Sequence, residues 1–164
     1  MQKEQLTDQW AIKLQGFFDA FEWINNKTNQ RYLFTINLLP NTSSLDEAVR
    51  KHFGDYLINY DLQLLDNWQS EISKVIGKWL FSFLNPDEHL HLEDPQNTFY
   101  LSHESFRSDV VTGIMKDMHN FLAPKSVCKF VPQMKRSYYL GNVTDEFIIE
   151  GDHRYAYLHF SHVD

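Results

Sequence analysis

The hydrophobic pattern of this chain changes period along its length, and that change limits the fold more than any single motif. From Leu6 onward apolar residues fall at Leu6, Trp10, Leu14, Phe17, Phe21 and Ile24, steps of three and four that line one face of a helix. Residues 31–39 (RYLFTINLL) are β-branched and aromatic and stop at Pro40, as a strand does. Ser44 and Glu47 have capping-box spacing, so a second helix starts near Leu45, with Gly54 as its stop. Leu62, Leu65, Trp68, Ile72, Val75, Ile76, Trp79, Leu80 and Phe83 then recur at helical spacing up to Asn85-Pro86. Phe106, Val110, Ile114, Met118 and Leu122 do the same over residues 105–122. From Val127 on the helical stripe is gone. Residues 127–131, 136–140, 147–150 and 155–162 read as strands, with Gly151-Asp152 as a hairpin turn. Helix, strand, three helices and a run of strands predict an α+β fold, with N-terminal helices packed on one face of a mostly antiparallel sheet formed largely by the C-terminal third. With 164 residues, no repeat and no linker, the expectation is a single globular domain over residues 1–164.

Charge narrows the partners. Fifteen Lys and Arg stand against 22 Asp and Glu, a formal charge of −7, so a phosphate backbone would repel the chain and nucleic-acid binding is disfavoured. The single cysteine, Cys128, allows no internal disulfide and no Cys cluster for zinc, which fits a reducing compartment. The first ten residues carry Lys3, Glu4 and Asp8 without an apolar run. No stretch approaches the roughly 18 consecutive apolar residues of a membrane helix. The expectation is a cytoplasmic protein that does not bind membranes.

Histidine is the most chemical-looking residue here. His89 and His91 would share one side of a strand, a spacing that suits two ligands of one zinc ion, with His159 as a further ligand from elsewhere. The alternative is a solvated strand edge with Leu90 and Leu92 turned inward. At the C-terminus, His159-Phe160-Ser161 gives one copy of the His-x-Ser/Thr strand motif that two-histidine phosphoesterases use in pairs, and His89-Leu90-His91 lacks the hydroxyl of a second copy. By alternation, Ala156, Leu158 and Phe160 face the core, while Tyr155, Tyr157, His159 and Ser161 form the other face. No Gly-x-Ser-x-Gly elbow and no phosphate loop occurs.

Acidic residues cluster. Asp87, Glu88, Glu93, Asp94, Glu104 and Asp109 stand against Arg107 alone over residues 85–109, and a second acidic stretch runs from Asp145 to Asp164. If the two meet, they form a negative surface carrying Tyr100, Tyr155 and Tyr157. Carboxylates with tyrosine anchors suit docking of a basic protein. The leading expectation is therefore a small acidic protein-binding module, in concrete form an inhibitor or immunity-type protein that neutralises a basic partner such as a toxin. Its contact residues would be Asp87, Glu88, Glu93, Asp94, Tyr100, Glu104, Tyr155 and Tyr157, and no cofactor is needed. The alternative is a hydrolase, metal-assisted with zinc or two-histidine, that uses His89, His91 and His159.

Overall fold

The computed structural model describes residues 2–27, 30–84 and 103–163. Its first element, α1 (Gln2–Asn25), follows the expected stripe, rotated slightly. Trp10, Leu14, Phe18 and Phe21 are buried, whereas Leu6 and Phe17 lie at the margin and stay exposed. The buried amide of Asn25 ends the helix. Its Nδ2 donates to the carbonyls of Phe21 (2.8 Å) and Leu80 (2.9 Å), and its Oδ1 accepts from the Phe83 amide at 2.8 Å. One polar side chain thus satisfies main-chain groups that a packed helix end would otherwise leave unpaired.

β1 (Arg31–Leu38) leads to α2 (Leu45–Phe53). Ser44 caps α2 as its spacing predicts, accepting from the Glu47 amide at 3.2 Å. The reciprocal contact is displaced by one residue, because Glu47 accepts from the main chain and hydroxyl of Ser43. Gly54, at φ 56°, closes the helix.

Leu62 and Leu65 do not belong to the next helix: residues Leu57–Leu64 form β2, and α3 spans only Trp68–Leu80. In the segment LINYDLQL, Tyr60, Leu62 and Leu64 also alternate with Asn59, Asp61 and Gln63, so the same leucines satisfy a strand period. Pairing with β3 decides between the two. After α3, a short 3-10 turn (Ser82–Leu84) completes the first described stretch. α4 (Glu104–Leu122) matches its predicted span. β3 (Ser126–Met134), β4 (Val143–Glu150) and β5 (Tyr155–Val163) follow. Residues 136–140, expected as a strand, are a turn and loop instead: the Tyr138 amide donates to the Lys135 carbonyl at 2.9 Å, and Gly141 takes φ 127°. Residues 85–102, where His89, His91 and Tyr100 fall and where two short strands or an irregular loop are both compatible with the sequence, lie outside the described residues.

All five strands are antiparallel, in the order β1-β5-β4-β3-β2. One face of the sheet presents Phe34, Ile36, Phe147, Ile149, Leu158 and Phe160 to α1, α3 and α4. This is the predicted α+β arrangement. The opposite face is also covered in part, because α2 lays Ala48, Val49 and Phe53 over Phe130, Ile148 and Tyr157. Phe53 stacks on Phe130 with ring centroids 5.4 Å apart. Gly151, in the β4–β5 hairpin, leaves no room for a side chain, since a Cβ there would come within 2.5 Å of the Leu122 carbonyl oxygen. Among the described residues no helix is long and apolar enough to cross a membrane.

Candidate functional site

Alternation along β5 puts Tyr157, His159 and Ser161 on the face opposite Leu158 and Phe160, and the β4–β5 register sets Glu146 directly across from His159. The four polar residues form one buried chain, with Glu146, His159 and Ser161 at 2%, 3% and 1% exposure. The Tyr157 hydroxyl donates to Glu146 Oε2 at 2.9 Å and lies 3.1 Å from His159 Nδ1. With that proton directed to Glu146, the phenol oxygen accepts from Nδ1–H. His159 Nε2 is then the acceptor for the Ser161 hydroxyl, 2.9 Å away. Glu146 Oε1 lies 3.7 Å from Nδ1 and has no hydrogen-bond partner among the described residues. Burial and the Glu146 carboxylate hold the Tyr157 phenol far above its ordinary pKa. Burial, then the charge of Glu146, also raises that of Tyr138 in the loop after β3.

Hydroxyl, imidazole, phenol and carboxylate in this order can pass a proton away from a serine. Access is another matter. A Cβ built on Gly141 would lie 2.8 Å from Ser161 Cβ, so the loop backbone rests against the serine with no space for a substrate carbonyl. As it stands, the chain of polar groups ties β4, β5 and the loop together.

Of the predicted site residues, Glu104, Tyr155, Tyr157 and His159 are among the described residues. Asp87, Glu88, His89, His91, Glu93, Asp94 and Tyr100 lie outside the described residues. Glu104 is exposed in the first turn of α4, and Tyr155 is half-buried beside the second core. Tyr157, expected on the surface as a docking anchor, is 4% exposed, with its ring between those of Phe53, Phe130 and His52. Alternation placed it on the correct face, but α2 covers that face. Both ring nitrogens of His159 are engaged within the protein, and among the described residues no group of three or more His, Cys, Asp or Glu side chains is placed to hold a metal ion.

A groove of about 530 Å³ lies between α1 and α4. Its apolar lining comes from Leu6, Trp10, Leu14, Phe17, Val110 and Phe121, with Asp109 and Asp117 on the α4 side and Lys13 on the α1 side. Trp10 stacks on Phe121 at 6.1 Å, and the Thr7 hydroxyl donates to the Phe121 carbonyl at 2.8 Å, which fixes the two helices at one end. The signal was present in sequence. Leu6 and Phe17 sit on the edge of the α1 stripe, too far round the helix to reach the sheet.

No family model matches the chain, and no curated protein matches it either. Among solved structures it is similar to citrus MAF1 crystallised in space group C 2 2 21, at 7% identity and a TM-score of 0.50, over 90% of this chain and 98% of that one. The form in space group P 31 2 1 aligns at 13% identity and a TM-score of 0.39, over 94% and 98%. The likeness is one of fold: helices packed on a five-stranded antiparallel sheet.

Proposed function

We propose that this protein acts by binding a basic protein partner, seating an amphipathic helix of that partner in the α1–α4 groove. The observation that carries this reading is the groove itself, an exposed apolar trough with two carboxylates along one wall. Asp109 and Asp117 are eight residues apart, about 12 Å along α4 at 1.5 Å per residue. Two lysines or arginines separated by two turns on a docked helix would meet them, while its apolar face covers Leu6 and Phe17. The net charge of −7 adds longer-range attraction for the same partner. An inhibitor of a basic protein such as a toxin is the concrete form of this reading. The test is titration of the labelled protein with a designed amphipathic helix bearing lysines two turns apart. Amide shifts confined to α1 and α4, with affinity falling at least tenfold in the Asp109→Lys/Asp117→Lys variant at low salt, support it. Shifts elsewhere, or none, overturn it.

One observation favours a second reading, hydrolysis: the hydrogen-bonded run from Ser161 through His159 and the Tyr157 hydroxyl to Glu146. It requires the loop around Gly141 to move. Labelling of Ser161 by a fluorophosphonate, abolished by His159→Ala, would shift the assignment to a serine hydrolase.

A further inference from the structure

The two edges of the sheet are treated differently. Along β1, α1 runs beside the strand, and polar side chains of α1 and of Asn26 just beyond it take up the main-chain groups. Gln15 donates to the Phe34 carbonyl (3.0 Å) and accepts from the Ile36 amide (2.8 Å), Glu22 accepts from the Phe34 amide (3.2 Å), and Asn26 accepts from the Tyr32 amide (2.6 Å). No described side chain does this for residues 59–64 of β2. Its one ladder partner among the described strands is β3, and it exposes Leu62 and Leu64 at 36% and 64%. An extended strand with one free hydrogen-bonding side and exposed apolar residues is a template for another strand.

We propose that β2 pairs antiparallel with β2 of a second copy of this chain, joining two five-stranded sheets into one of ten. The register follows from symmetry. A two-fold axis normal to the sheet keeps the helical layers of both copies on the same side, and residues opposite one another must share a face, so the axis passes through a residue and not between two. Centring on Asp61 sets two carboxylates against each other. Centring on Tyr60 or Asn59 draws in the irregularity between Leu57 and Asn59. Centring on Gln63 shortens the ladder, because β2 ends at Leu64. Centring on Leu62 uses only the regular part of the strand. Leu62 then faces its own copy, Tyr60 faces Leu64, and Asp61 faces Gln63. The apolar pairs fall on the face where Leu62 opposes Phe130 and Tyr60 packs against the second core, so that core continues into the partner.

Sedimentation velocity over micromolar to millimolar concentrations tests the pairing, and oxidative crosslinking tests the register. We expect a concentration-dependent dimer. Leu64→Lys, at an exposed position that leaves folding intact, should raise its dissociation constant at least tenfold. In a Cys128→Ser background, Leu62→Cys should form a covalent dimer on oxidation and Ile58→Cys should not. A monomer at every concentration, a dimer indifferent to Leu64→Lys, or crosslinking through position 58 in preference to 62 would each overturn the proposal. The groove lies at the β1 end of the molecule, so this result is independent of the reading given for it.

Discussion

Glu146 and His159 face each other across the β4–β5 ladder with Oε1 3.7 Å from Nδ1, and the Tyr157 hydroxyl bridges them. The carboxylate is buried with a single hydrogen-bond donor among the described residues. Removing that donor in Tyr157→Phe leaves both oxygens without a conventional hydrogen bond, at a cost of about 1–3 kcal/mol. In the Glu146→Gln background the same substitution should cost less, because the charge is gone. Urea denaturation of the four proteins in this cycle measures the coupling.

Gly141 holds φ 127° with its Cα against Ser161, so Gly141→Ala meets both an unfavourable backbone conformation and a Cβ clash. The expected loss is about 2–4 kcal/mol, read as a lower urea midpoint with the far-ultraviolet spectrum preserved.

Asn25→Ala removes three hydrogen bonds at once and leaves the Leu80 carbonyl and Phe83 amide unpaired in the core. Destabilisation of about 2–4 kcal/mol is expected. Hydrogen exchange should locate the loosening at the junction of α1 and the end of α3.

His52 on α2 packs against Tyr157, and burial lowers its pKa from the ordinary 6.5. The unfolded chain therefore takes up this proton first as pH falls. The His52 contribution is intact above about pH 6.5 and is lost as pH drops through the window below it. Between about pH 7.5 and pH 5, thermal melts of His52→Gln should show a shallower fall in stability than those of the unsubstituted protein.

Tyr60 donates to Asp46 at 2.8 Å, and burial followed by this hydrogen bond pushes its phenol up to about 12. The unfolded phenol ionises near pH 10, so the folded state holds the extra proton between these values and stability falls as pH rises through them. The tyrosinate absorbance lost in Tyr60→Phe identifies this group among the late-titrating phenols, and Asp46→Asn should bring it to lower pH.

By itself the sequence determined the helix stripes of α1, α2 and α4, the Ser44 cap, three of the four expected C-terminal strands and the alternation that puts Tyr157, His159 and Ser161 on one face. Each of these is set by neighbours within a turn or two, where spacing maps directly onto geometry. Only the tertiary structure decided that Leu57–Leu64 is a strand, because its leucines fit both periods and the β3 ladder selects one. It also decided that Tyr157 is buried, since that depends on α2 folding back over the second face of the sheet. The juxtaposition of Glu146 with His159, and of Gln15 with Phe34 and Ile36, comes from registers between distant segments. Those registers are fixed when many weak contacts are satisfied together, and no local pattern records them.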